Sequence, residues 1–125
     1  MDHRRRLGTF GEAEAIRHLW RAGYVVLDRN FRSRFGELDV VAERGGCLVF
    51  CEVKTRLGPA RGELGPLAGV NGDKQRRVRR MAREWLASGR AAGRRGGDQL
   101  RFDAIGVSVR ADGSLLALEH VEDAF

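Results

Sequence analysis

Two apolar runs, Leu38–Ala42 and Cys47–Val53, flank the tetrapeptide Glu43-Arg44-Gly45-Gly46. A Gly-Gly pair in that setting is a strong hairpin signal, because the tight turns that match strand twist need positive φ at their central residues. With Gly45 and Gly46 as the turn, paired residue numbers sum to 91 and Asp39 lies opposite Glu52. Side chains alternate along a strand, so Glu37, Asp39, Val41, Leu48, Phe50, Glu52 and Lys54 then share one face. The other face carries Leu38, Val40, Ala42, Cys47, Val49, Cys51 and Val53. A hairpin apolar on both faces has to be covered on both, which predicts an α/β layer structure. Other turn lengths remain open. A four-residue turn keeps the charged residues on one face with Asp39 and Glu52 diagonal, and a three-residue turn without a bulge separates them.

Directly opposed Cβ atoms lie about 4.5–5.5 Å apart, and like charges there are destabilising. Two carboxylates in that position need a cation between them or a shared proton. Carboxylate oxygens around one point are the usual way to hold Mg²⁺, which also keeps waters and accepts phosphate oxygens. Such an ion polarises a phosphodiester and acidifies a bound water. Lys54, two residues beyond Glu52 on the same face, is placed to orient that water or to neutralise charge on the phosphate. The bland alternative is an exposed ladder of ion pairs with Glu37 opposite Lys54. The apolar neighbours Val41, Leu48 and Phe50 weigh against it.

Asp39 followed by Glu52-Val53-Lys54 resembles the PD-(D/E)XK nuclease signature, with Leu38 standing where its proline would be. The wider string resembles the YraN-like family of small bacterial proteins. It comprises Gly11-Glu12, Asn30-Phe31-Arg32, Gly36-Glu37-Leu38-Asp39, Glu52-Val53-Lys54-Thr55-Arg56, Lys74 and Arg101-Phe102-Asp103, in that order over most of the chain. The family's fold is similar to that of archaeal Holliday-junction resolvases. The resemblance implies a restriction-endonuclease-like αβββαβ core, a nuclease-type site at Glu12, Asp39, Glu52 and Lys54, and a homodimer as a plausible assembly. Asp39 and Glu52, with Glu12 assisting, are the expected ligands of Mg²⁺ or Mn²⁺.

At 125 residues the chain is expected to form one domain, residues 1–125, with a core of modest size. No apolar run approaches the roughly 20 residues that span a bilayer, and the basic start MDHRRRLGTF has no apolar segment of a signal peptide, so a cytoplasmic location is expected. A net charge of +6 favours a polyanionic partner, nucleic acid first, and DNA in particular if the resemblance holds. All but two of the 23 Lys and Arg residues are Arg, so Lys54 and Lys74 stand out. Lysine is a compact point charge suited to positioning water. Cys47 and Cys51, about 13 Å apart along one strand, are beyond disulfide reach.

Along the chain, Arg4-Arg5-Arg6 reads as a disordered basic end. Thr9-Phe10-Gly11-Glu12 has the form of a capping box opening a helix to about Ala22, with Ile16, Leu19, Trp20 and Gly23 as its stripe. Glu12 either completes that cap or points from the stripe into a site on the strands. Tyr24–Leu27 reads as the first strand, followed by a basic connector, residues 28–35. In it, Arg29, Arg32 and Arg34 with Phe31 and Phe35 suit either nucleic-acid contact or a packed strand extension. Residues 55–73, rich in glycine and holding both prolines, read as a long loop able to close over a substrate. A second helix is expected from Lys74 to about Ser88, capped by Asp73, with Val78, Met81, Ala82, Trp85 and Leu86 inward. Its other face carries Arg76, Arg77, Arg79, Arg80 and Arg83, which with Lys74, Arg32, Arg34 and Arg56 make the candidate phosphate-binding set. A flexible basic link at 89–97 precedes strands Leu100–Val109 and Leu115–Val121. Glu37, Gln75 and Asp103 are supporting candidates, and Arg101 is the natural ion-pair partner of Asp103. His3, His18 and His120 show no spacing that suggests ligation.

The expected architecture is a mixed central sheet flanked by helices, in the order helix, three strands, helix, two strands. The expected function is Mg²⁺-dependent endonucleolytic cleavage of structured DNA. Two other classes compete with it. A non-catalytic nucleic-acid-binding protein of the same fold predicts salt-dependent binding without product. An interaction protein that docks an acidic partner predicts no nucleic-acid affinity.

Overall fold

The hairpin register drawn from Gly45-Gly46 is the register of the sheet, with pairs running from Arg44↔Cys47 to Val40↔Cys51. Both turn glycines have the positive φ this requires, 57° and 79°. The computed structural model describes residues 3–59, 72–90 and 99–125, with side chains from residue 6 onward. Within them the elements are α1 (His3–Arg21), β1 (Val25–Ser33), β2 (Gly36–Arg44), β3 (Cys47–Leu57), α2 (Gly72–Ala87), β4 (Gln99–Val109) and β5 (Leu115–Val121). The five strands form one sheet in sequence order. The β3–β4 pair is parallel and the other three pairs are antiparallel.

Each helix covers one face. Ala15, Ile16 and Leu19 of α1 pack on Val40, Ala42, Val49, Cys51, Ile105, Val107 and Val109. Val78, Met81, Ala82 and Trp85 of α2 pack on Leu38, Val41, Leu48, Phe50 and Phe102. The two-sided apolar character of the hairpin is therefore used in full. Leu38 lies in the α2 layer with Val41, whereas strict alternation places it with Val40, so the alternation of β2 breaks just where Asp39 sits.

Several expectations need correction. Helix α1 begins at His3, so Arg4-Arg5-Arg6 is helical and Thr9 lies in the helix interior. Leu7 and Phe10 pack against the α1-side core and carry the apolar stripe back through the capping-box residues and beyond them. Trp20, placed on the stripe, is 60% exposed. The C-terminal stop is as expected: Gly23 (φ 87°) and Tyr24 donate N–H groups to Trp20 O and Leu19 O, at 3.1 and 2.9 Å. The basic connector belongs to β1, which runs to Ser33 with Phe31↔Leu38 and Arg32↔Glu37 paired across to β2. Phe31 and Phe35 are half-buried against the α2-side core, which favours the packed strand extension. Strand β3 continues to Leu57, so residues 55–57 are strand; residues 60–71 of the expected loop and 91–97 of the basic link lie outside the described residues. Asp73 sits inside the first turn of α2 and pairs with Arg76. Neither described helix is long and apolar enough to cross a membrane.

Candidate carboxylate site at the parting of two strands

The β2–β3 ladder ends at Val40↔Cys51, whereas β3 stays paired with β4 as far as Leu57↔Val109. Past Cys51, the β2 side of β3 is therefore without a backbone partner. Asp39 fills that role: its Oδ2 accepts the Val53 N–H at 2.7 Å. Buried backbone donors require such partners, so one side chain both closes the end of the ladder and stands in the gap beside it.

Three further carboxylates gather there. Glu12, Glu37 and Asp39 each offer an oxygen, and these oxygens lie within 4.8 Å of one another. Glu12 reaches the gap because α1 passes very close to β3 at the preceding residue. A Cβ at Gly11 would collide with the Thr55 side chain, so the absence of a side chain permits the approach. Glu52, nearly buried at 9% exposure, lies on the α2 side of the gap. It lines a cleft of about 240 Å³ with Gly36, Glu37, Asp39, Lys74, Arg77 and Val78. Of the sequence-derived ligand set, Glu12 and Asp39 come within 4.8 Å of each other, Glu52 lines the cleft with Asp39 but is outside the close trio, and Glu37, expected in a supporting place, belongs to that trio. Lys54, half-buried two residues after Glu52, makes no ion pair among the described residues.

The dilemma of two facing carboxylates is resolved by both devices that chemistry allows. Burial, and then the charge of Glu52, push Asp39 up to about 8, with Glu12 and Glu37 adding to the shift and the Val53 N–H opposing it. Asp39 therefore holds its proton far more firmly than an exposed aspartate does. Glu52 is instead neutralised by Lys74, whose Nζ lies 2.6 Å from Oε1 at the start of α2. Glu12 is also raised, chiefly by burial, with Asn30 opposing and Glu37 adding. Three carboxylates within 4.8 Å, one of them strongly disfavoured as an anion by burial and its acidic neighbours, form an oxygen donor set that fits Mg²⁺ or Mn²⁺.

The candidate phosphate-binding residues are divided by their contacts. Arg77 lines the cleft and passes over Gly36, where a Cβ would meet its Cδ at 3.3 Å. Arg76 and Arg83 are exposed on α2. Arg80 and Arg34 both lie over the Phe35 ring, 3.6 and 4.9 Å from its centroid. Arg79 covers Phe102 and donates to Phe125 O. Arg32 faces Glu37 at 3.5 Å. Arg56 and Gln75 are half-buried on β3 and α2. Arg90 lies 5.1 Å from the centroid of the Phe31 ring, so both aromatic faces expected to stack bases are covered by arginines, whose planar, weakly hydrated heads stack well.

One network was invisible to spacing arguments. Fully buried Asp103 accepts both bonds of the Arg101 guanidinium at 2.8 Å, the Asp123 N–H at 3.0 Å and a 2.7 Å bond from His120 Nε2. His120 Nδ1 in turn meets His18 Nε2 at 2.8 Å, and Arg101 also reaches the Tyr24 hydroxyl. Burial opposes ionisation of Asp103, but His120 and Arg101 hold it below the usual carboxylate range. The expected Arg101–Asp103 pair is present, and Asp103 serves to tie α1, β4 and β5 together. His18 and His120 are 102 residues apart and His120 and Asp103 are 17 apart, so no local pattern announces these links. Cys47 and Cys51 are both free thiols.

A five-stranded mixed sheet with a helix on each face is consistent with a restriction-endonuclease-like core. Residues 11–107 match the family described as Uncharacterised protein family UPF0102. A UPF0102 protein of Rhodococcus jostii is 45% identical over 125 residues, covering all of both chains. One of Frankia casuarinae is 45% identical over 119 residues, 95% of each chain, and one of Streptomyces griseus is 44% identical over 117, covering 91% of this chain and 92% of its own. The chain belongs to the UPF0102 family.

Proposed function

We propose that this protein is a divalent-metal-dependent endonuclease acting on DNA, with structured DNA as the substrate class. The observation that carries the reading is the convergence of Glu12, Glu37 and Asp39 at the parting of β2 and β3, beside Glu52. Glu12, Glu37 and Asp39 would hold Mg²⁺ or Mn²⁺, with Glu52 completing the acidic wall. When bound, the ion supplies Lewis-acid polarisation of a phosphodiester and acidification of water. Lys54 orients the attacking water and balances charge that develops on the phosphate. Arg77, at the mouth of the cleft, and the exposed arginines of α2 grip the backbone.

A second reading, nucleic-acid binding without cleavage, is favoured by one observation: Lys74 already neutralises Glu52 at 2.6 Å. Incubation of linear and branched DNA with Mg²⁺ or Mn²⁺ separates the two. The nuclease reading expects a metal-dependent product that Glu12→Gln lowers on the order of 10²-fold or more, with binding retained and strongly weakened by salt. Salt-sensitive binding with no product under either metal selects the second reading.

A further inference from the structure

We infer that Asn30 is the positioning residue of the carboxylate site, clamping Glu12 of α1 to Glu37 of β2. Asn30 lies between the pairs Arg29↔Val40 and Phe31↔Leu38, and so opposite Asp39. Its amide nitrogen, turned toward the carboxylates as its all-acceptor surroundings require, donates to Glu12 Oε2 at 3.1 Å, Glu12 Oε1 at 3.3 Å and Glu37 Oε1 at 2.8 Å. One neutral group thus holds two like charges from elements that are distant in the chain. An ammonium in that place would compete with an incoming cation for the same oxygens, whereas an amide can organise them without neutralising them.

The backbone points the same way. Asn30 is one of two non-glycine residues with positive φ among those described, at 54°, and it adopts this conformation inside a strand. Asparagine tolerates that region better than most residues, though at a cost an extended residue would avoid. An extended backbone would send the residue 30 side chain in another direction, so the unusual φ is what aims the amide at Glu12 and Glu37. Backbone strain stored beside a group of converging charged side chains is a recurring device of functional sites.

The role in metal binding rests on the nuclease reading; the clamp itself does not, and the experiment separates them. Asn30→Gly keeps the positive φ, relieves its strain and deletes the amide, so any loss of stability is a lower bound on what the amide contributes. In the metal-free protein Asn30→Gly lowers the melting temperature by several degrees, roughly what about 1 kcal/mol costs a domain of this size. Glu12→Gln restores it in that background, because its amide can donate to Glu37, yet does not stabilise the parent protein. A purely structural Asn30 predicts the same Glu12→Gln shift in both backgrounds, and that result overturns the clamp. In a Mn²⁺ titration, Asn30→Gly weakens binding about 10-fold or more, as loss of an orienting partner does. Unchanged Mn²⁺ affinity overturns the positioning role. A parent protein that binds no Mn²⁺ while the thermal coupling persists overturns the metal reading and leaves the clamp supported.

Discussion

Asp39→Asn is expected to abolish metal-dependent cleavage and, in the same protein, to raise metal-free stability at alkaline pH. The opposition follows from the burial of Asp39 among Glu52, Glu12 and Glu37, which pushes its carboxyl up to about 8. The unfolded chain releases that proton near pH 4, so between about 4 and about 8 the folded state holds more protons than the unfolded one. Stability of the metal-free protein therefore falls as pH rises through that window and levels off above it. The loss reaches the order of a few kcal/mol. Asparagine has no proton to lose and still offers an oxygen to the Val53 N–H, so the variant escapes this slope. Urea denaturation from pH 4 to 9 without divalent ions should show the two proteins similar at the acid end and the variant ahead at pH 8.5. Parallel profiles would show that Asp39 ionises normally.

Trp85→Ala is expected to cost about 3–5 kcal/mol, the range for removing a large buried aromatic side chain. Trp85 is fully buried on α2, meets Phe50 edge-on with ring centroids 5.8 Å apart, and donates its indole N–H to Asp28 Oδ2 at 2.9 Å. The substitution opens a cavity between α2 and the sheet and removes one partner of Asp28, which keeps a 3.5 Å contact with Arg90. Against a usual total of about 5–15 kcal/mol, much of the population would unfold at moderate denaturant. Trp85→Phe, which loses the hydrogen bond but fills most of the space, should cost clearly less. A denaturation midpoint within about 1 kcal/mol of the parent would contradict the packing described for this face.

What the sequence conveyed well was the hairpin. Gly45-Gly46 fixed the register from Arg44↔Cys47 to Val40↔Cys51, and apolar residues on both faces required a helix on each. The stripe of α2 was legible because Val78, Met81, Ala82 and Trp85 follow the helical period, although Leu86, expected inward with them, is exposed. Failures came where tertiary contacts overrode local signals. Thr9 to Glu12 satisfies a capping-box pattern, yet Leu7 and Phe10 gain more by packing on the core and carry the helix past it. Phe31 and Phe35 draw the basic connector into β1 for the same reason.

The site shows the same division. Glu12, Asp39, Glu52 and Lys54 were singled out, but the alternation argument put Asp39 in a continuous ladder. That argument missed both the end of pairing after Val40↔Cys51 and the side chain that closes it. Glu37 was placed in support although its carboxylate lies within 4.8 Å of those of Glu12 and Asp39. The roles of Asn30 and of the His18–His120–Asp103 chain depend on a positive φ and on long-range contacts. Neither leaves a trace in residue spacing.

Calorimetric titration of Mn²⁺ into the parent protein and into the Glu12→Gln/Asp39→Asn double variant tests the central claim most directly. The account predicts saturable binding to the parent that weakens as pH falls below 8, because the ion must displace the Asp39 proton, and no binding to the double variant. Equal heats in both proteins, or none in the parent at pH 8.5, would contradict the assignment of these carboxylates as a metal site.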